Sequence, residues 1–110
     1  MADIFKYLSE SGNIIVNKDL AFKIGLYETI LIFELYTIKT KFEQKNALKN
    51  EWFHCSVCHL EEQTTLGKKQ QKEALKNLEE LNLISVKQKD KDSERFIKIN
   101  EQELLRTMFT

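Results

Sequence analysis

The stretch SVCHLEEQTTLGKKQQKEALKNLEELNLISVKQKDKDSERFIKIN, residues 56–100, decides the fold because it carries four structural signals in succession. Its first part predicts a short helix over 56–66 with Ser56 as the N-cap. Gly67 breaks this helix and caps a second one, predicted over 68–81. The apolar side chains of the second helix recur at spacings of three and four residues, which predicts one buried strip: Ala74, Leu75, Leu78 and Leu81.

A β-hairpin is predicted immediately after the second helix. Asn82 ends that helix, because Asn tolerates the left-handed backbone conformation. Residues 84–89 and 95–100 each alternate apolar and polar side chains with period two, and the charged segment 90–94 is the predicted hairpin tip. Helix, turn, helix and hairpin in this order make a winged helix. We therefore expect an α+β fold, a winged helix-turn-helix with a C-terminal β-hairpin wing and extra N- and C-terminal helices.

The length of the chain predicts one globular domain, residues 1–110, and its last apolar residues predict a C-terminal helix over 101–110. A hydrophobic fraction of 42% and a charged fraction of 31% are ordinary for such a domain. No apolar run approaches the roughly 18–20 residues that span a bilayer, and the first residues do not resemble a signal peptide. We therefore expect a cytoplasmic protein without membrane contact, whose two cysteines are reduced.

The charge of the chain is unevenly distributed although its net value is zero. Residues 67–98 contain nine basic and six acidic side chains, a local balance of +3, and the remainder of the chain carries −3. A protein can present a positive face without being basic overall. The distribution supports a contact between this segment and a polyanion.

A long helix, predicted over 27–43, has two apolar strips instead of the one that a surface helix requires. The main strip consists of Leu31, Leu35, Ile38 and Phe42. The second strip, on the opposite side, consists of Ile32, Phe33 and Tyr36. Either the N-terminal segment covers the second strip, or a second copy of the protein covers it. The latter alternative predicts a homodimer with Ile32, Phe33 and Tyr36 at its interface.

Shorter elements are predicted around the long helix. Residues 14–16, Ile-Ile-Val, are β-branched and favour a first strand. Residues 20–24 predict a short helix that Gly25 closes. Residues 52–55 predict a short strand that pairs with the hairpin.

Four potential metal ligands fall within six residues: His54, Cys55, Cys58 and His59. The run from Cys55 to His59 matches the pattern for covalent haem attachment, and the four side chains are also of the types that bind zinc. However, these are the only cysteines and histidines of the chain, and one short run does not easily surround a tetrahedral ion. Metal, haem and thiol redox chemistry remain alternatives. Our expectation is a strand–helix junction with no metal and no cofactor.

Several segments together resemble a known family. They are residues 52–56, Leu60 and Leu66, the helix and following residues 68–84, and the strand 95–100. These residues are similar to the winged-helix domain of phage and plasmid replication proteins from Gram-positive bacteria, the DnaD-like primosomal and replisome-organiser group. The resemblance extends over roughly 13–100 and implies DNA binding or a contact with a replication partner protein.

The predicted site is a double-stranded DNA interface. Lysine side chains suit phosphates and guanine edges, and glutamine suits adenine edges. The candidates are Lys68, Lys69, Gln70, Lys72 and Lys76 on the second helix and Lys87, Lys89, Lys91 and Arg95 on the hairpin. By contrast, Gln71 falls within the apolar strip, so we expect it to bond to the backbone.

Two functional hypotheses follow. The first is a DNA-binding homodimer that acts in phage or plasmid replication initiation or in transcriptional control. The alternative is a winged-helix module for protein–protein assembly in a replication complex, without direct DNA binding. The chain contains no Gly-rich phosphate loop and no arrangement typical of a nucleophilic triad, so an enzyme is not expected.

Overall fold

The computed structural model describes residues 4–10, 12–48, 50–89 and 94–110. Within these residues the fold is α+β, with six helices and one three-stranded antiparallel sheet. In chain order the elements are α1 (Ile4–Leu8), α2 (Lys18–Ile24), α3 (Leu26–Gln44), β1 (Phe53–His54), α4 (Val57–Thr64), α5 (Lys68–Glu80), β2 (Ile84–Lys89), β3 (Glu94–Ile99) and α6 (Glu101–Met108). None of the described helices is both long enough and apolar enough to cross a bilayer.

The long helix α3 is the centre of the core. It begins directly after Gly25, whose φ of 110° is a conformation that residues with a Cβ rarely adopt. A Cβ at Gly25 would also collide with the carboxylate of Glu28. The main apolar strip is buried as predicted, since Leu31 and Leu35 are fully inaccessible and Ile38 is 5% exposed.

Helices α4 and α5 follow the sequence prediction closely. The Ser56 hydroxyl accepts a hydrogen bond from the His59 N–H at 3.0 Å, which is the predicted cap of α4. Thr65 then takes a left-handed conformation with φ 65° and ends α4. Gly67 is the N-cap of α5, and the Gln70 Oε1 accepts its N–H at 3.0 Å. The predicted boundary between the two helices is therefore confirmed.

The buried strip of α5 differs from the prediction at one position. Ala74, Leu75 and Leu78 are buried, but Leu81 is 45% exposed. Leu81 is the C-cap, so it lies beyond the last turn that packs on the core. Asn82 has the expected positive φ of 62°, and this reversal turns the next residue, Leu83, fully into the core.

The sheet has the strand order β1-β3-β2, with both pairings antiparallel. In β3, the side chains of Arg95, Ile97 and Ile99 point into the protein, while Phe96 and Lys98 point away from the core. The predicted hairpin strands are thus confirmed. Most of the predicted tip, residues 90–93, lies outside the described residues.

The predicted strand over 14–16 is wrong. This segment has no regular secondary structure, and Ile15 is 71% exposed. β propensity alone does not make a strand, because the backbone needs a hydrogen-bonded neighbour, and the described sheet ends at β1 and β2. Ile15 instead borders a groove formed by α2, α3 and α6.

Candidate nucleic-acid interface

The lysines of α5 lie on its solvent side. Lys68, Lys69, Lys72 and Lys76 are all exposed, because the buried residues of α5 occupy the opposite side of the helix. Glu73 is exposed on the same outer side and reduces the local positive charge. The exposure predicted for these lysines is therefore confirmed.

Three of these lysines border a groove between α5 and β2. Lys68, Lys72 and Lys76 line one side of this groove, whose volume is about 450 Å³. The spacing of four residues places them on one side of the helix, one above the other. The other residues that line the groove are Val57, Leu75, Glu79, Val86, Gln88 and Arg95. The groove thus combines three flexible ammonium groups and one carboxylate with a partly apolar floor.

Arg95 is a correction to the predicted site. It is only 6% exposed, because it shares the inward side of β3 with Ile97 and Ile99. Its Nε donates to the Cys55 carbonyl oxygen at 2.9 Å, and its Nη2 donates to the Gln71 Oε1 at 3.2 Å. The period-two alternation of the strand indicates this burial, because it places residue 95 on the same side as Ile97 and Ile99. Arg95 is a buried residue at the base of the groove, and its guanidinium holds the strand to α5 and to the residue after β1.

Gln71 bonds to the backbone, as its position in the apolar strip predicted. It is fully buried, and its Nε2 donates to the backbone oxygens of Val57 at 3.0 Å and Leu66 at 2.8 Å. With the bond from Arg95, this one amide joins α4, the connection before α5, and the hairpin. The position of α5 relative to the sheet is therefore fixed by polar contacts as well as by packing.

Gln70 has a local structural role that the sequence analysis did not include. The side chain is exposed, but its Oε1 closes the cap of α5 through the Gly67 N–H. A Gln70 variant would therefore change helix capping as well as any contact with a base edge.

Of the predicted hairpin lysines, Lys87 is the one whose side chain the structure describes, and it does not line the α5 groove. Lys87 lies on the outer side of the sheet, with its Nζ 4.2 Å from the centroid of the Trp52 ring. Lys89 is the last residue of β2, and Lys91 lies outside the described residues. The structure consequently brings together the α5 lysines and separates Lys87 from them.

The four potential metal ligands are separated by the local backbone. Cys55 is buried, and burial raises the pKa of its thiol to about 11, although the Arg95 charge acts in the opposite direction. Cys58 is exposed, and the His54 ring contacts Phe96 at a centroid distance of 5.5 Å. Both cysteines are free, and the described part of the chain has no group of three or more His, Cys, Asp or Glu side chains arranged to hold a metal ion.

Sequence reasoning missed a charge cluster in which three exposed carboxylates surround the buried Lys39, which is 2% exposed. Its ammonium contacts Glu51 at 3.2 Å, Glu43 at 3.6 Å and, more closely still, Glu101. Burial acts to lower the pKa of Lys39, but the hydrogen bonds and charges of Glu101 and Glu51 outweigh it, so the pKa is raised. The cluster joins α3 to the start of α6 and to the segment before β1. Its members are far apart in the sequence, so no local pattern indicates it.

The second strip of α3 is divided between core and surface. Ile32 is 5% exposed and belongs to the core of its own chain, but it also lines the apolar groove that Phe33 and Tyr36 border, so its place in a dimer interface stays a prediction. Phe33 is half-buried and Tyr36 is 43% exposed. They border an apolar groove of about 330 Å³, which Ile15 and the α6 residues Leu104, Leu105 and Met108 complete. Contact between Phe33, Tyr36 and a second copy stays a prediction.

Comparisons of the chain with protein families, characterised proteins and solved structures find no match.

Proposed function

We propose that the protein is a winged-helix protein that binds double-stranded DNA through α5. In this proposal α4 and α5 form the helix-turn-helix, and the β2–β3 hairpin is the wing. The observation that carries it is the line of Lys68, Lys72 and Lys76 along the groove beside the hairpin. Ammonium groups in such a line can follow a phosphate backbone, which supplies most of the affinity of DNA-binding proteins.

The rigid placement of α5 also supports this function. A helix that enters a groove of DNA must keep its angle and depth, because its contacts depend on both. The Gln71 amide bonds α5 to α4, and Arg95 bonds it to the hairpin, so the lysines project from a fixed support. The acidic residues Glu73 and Glu79 on or beside the same surface limit the affinity and favour a few well-placed phosphates over indiscriminate binding.

The biological setting that we propose is phage or plasmid replication, or gene control, and it rests on the resemblance of residues 13–100 to the replication proteins. The proposed role is binding without catalysis. A homodimer would place two α5 helices on one duplex, as is common for helix-turn-helix proteins. The apolar groove beside Phe33 and Tyr36 supports this assembly, because it leaves an uncovered hydrophobic surface.

The test compares two double variants with the same change of charge. Lys72→Ala/Lys76→Ala removes two groove lysines, and Lys18→Ala/Lys45→Ala removes two exposed lysines elsewhere. Binding to a labelled random duplex at about 50 mM salt is measured by fluorescence anisotropy. The groove variant should bind at least about tenfold more weakly than wild type, and the control should bind within about twofold of it. Equal losses in both would contradict a site on α5.

The same apolar groove favours a second candidate, a protein–protein assembly module. In that case the half-buried ring of Phe33 and the exposed ring of Tyr36 would contact a replication partner, and the α5 lysines would be solvated surface. If the wild-type protein binds no duplex at about 50 mM salt, duplex binding is contradicted and the assembly module becomes the proposed function.

A further inference from the structure

A second pocket lies on the outer side of the sheet, the side away from α5. Phe96 on β3 is paired with His54 on β1 and with Lys87 on β2, so these three side chains project side by side. Trp52, immediately before β1, adds its ring to the group through its contact with Lys87. The pocket has a volume of about 430 Å³, which falls within the range of small-ligand sites, roughly 300–1,000 Å³. We call it the outer sheet pocket.

Five aromatic rings line the outer sheet pocket, and they differ in exposure. Phe53 is 1% exposed and packs on the core side, with the Phe42 ring at a centroid distance of 6.2 Å. On the outer side, the His54 and Phe96 rings meet nearly edge to face, with centroids 5.5 Å apart and an angle of 70° between their planes. Trp52 and Phe96 are half-buried, whereas His54 is exposed. Aromatic faces that are not needed to close the core therefore remain accessible at the surface.

The charge of this pocket favours an anionic ligand. Its lining consists of Phe42, Ala47, Asn50, Trp52, Phe53, His54, Lys87 and Phe96, and so includes no carboxylate. The Lys87 ammonium lies 4.2 Å from the Trp52 ring centroid, within the distance of a cation–π contact. A ligand that offers both a flat ring and a negative group would use the aromatic faces and the ammonium at once.

We propose that the outer sheet pocket binds an unpaired nucleotide of a single-stranded nucleic acid. Its base stacks on the Trp52 and Phe96 rings, and Lys87 moves from the Trp52 ring to the adjacent phosphate. Exposed rings beside basic side chains on a sheet are the usual means by which proteins hold single strands without sequence preference. Duplex DNA does not fit this description, because its bases are stacked on one another. The pocket is separate from the α5 groove, and this inference does not depend on duplex binding.

The protein contains its own probe for this site, because Trp52 is its only tryptophan. The experiment titrates the full chain with an oligothymidylate of about eight nucleotides and records tryptophan fluorescence. We expect saturable quenching. Phe96→Leu keeps an apolar side chain but removes the aromatic face, and it should raise the dissociation constant about fivefold or more. Lys87→Ala should also weaken binding, whereas Lys98→Ala, an exposed lysine of β3 outside the pocket, should not.

Several outcomes would overturn the proposal. One is an absence of quenching at millimolar oligonucleotide, and another is equal quenching by inorganic polyphosphate, which has charge but no base. Fluorescence that changes with protein concentration alone, without nucleic acid, would assign the pocket to a protein interface instead. Lys72→Ala/Lys76→Ala should leave the quenching unchanged, and its loss in that variant would place the strand on α5. If the wild-type protein does not bind duplex DNA but shows the quenching, duplex binding through α5 is contradicted and single-strand binding at the outer sheet pocket is supported.

Discussion

Arg95 and Gln71 form a buried hydrogen bond, Nη2 to Oε1 at 3.2 Å, that joins the hairpin to α5. The Gln71 Nε2 also donates hydrogen bonds to the backbone oxygens of Val57 and Leu66. The Arg95 Nε donates to the backbone oxygen of Cys55. One pair of side chains therefore links α5, α4, β3 and the residue after β1. The Arg95 guanidinium therefore points into the protein and connects β3 to α5 and to Cys55.

Gln71→Ala should destabilise the fold by about 2–4 kcal/mol. It leaves the buried Arg95 without one partner and opens a cavity at a fully inaccessible position. Urea unfolding followed by circular dichroism gives the free energy of unfolding. Gln63→Ala, at an exposed position of α4, is the control and should change it by less than about 0.5 kcal/mol. A difference of less than about 1 kcal/mol between the two variants would show that the buried network contributes little.

The Lys39 cluster should stabilise the protein in a pH-dependent way. The folded pKa of Lys39 lies above the unfolded value of 10.5, so its contribution is complete below about pH 10.5 and is lost as pH rises through the folded value. Lys39→Met retains the apolar stem and should cost about 1–3 kcal/mol at pH 7. The difference in unfolding free energy between wild type and Lys39→Met should shrink over the pH interval that begins at about 10.5 and extends through the raised folded pKa. A difference that is constant over that interval would contradict this account.

The two cysteines should differ in their effect on stability. Cys55→Ser places a hydroxyl at a buried position and should cost about 1–2 kcal/mol, whereas Cys58→Ser changes an exposed side chain and should be nearly neutral. Thermal unfolding measures both. A chelator such as EDTA should not lower the melting temperature of wild type. Stoichiometric zinc in the purified protein, or unfolding on chelation, would restore the metal-site alternative for these residues.

Phe33→Glu should convert a dimer into monomers, because it introduces a charge into the apolar groove between α3 and α6. Sedimentation velocity at micromolar concentration measures the change. Gln63→Glu, which adds the same charge at an exposed position of α4 outside that groove, is the control. A wild-type protein that sediments as a monomer would assign this groove to another ligand or to solvent.

The sequence predicted the elements whose signals are local. Ser56, Gly67 and Asn82 set helix boundaries through caps and turns, and the structure confirms each of them. The interior position of Gln71 also followed from the helix period. Residues 14–16 were predicted as a strand from composition alone, but strand formation needs a partner that no local pattern supplies.

The candidate site was predicted less completely than the fold. The α5 lysines were found because the helix period separates its exposed and buried sides. Arg95 was misassigned because its charge was given more weight than its register with Ile97 and Ile99. Lys39 and the outer sheet pocket could not be predicted, since both depend on segments that only the tertiary fold brings together.

The salt dependence of duplex binding tests the central claim most directly. If about three or four phosphates are neutralised per subunit, a plot of the logarithm of affinity against the logarithm of salt concentration should have a slope of about −2.7 to −3.6 per subunit, at about −0.9 per contact. Lys72→Ala/Lys76→Ala should make that slope shallower by roughly two units without changing the melting temperature, because both side chains are exposed. A slope near zero, or one that the variant does not alter, would contradict duplex binding through α5.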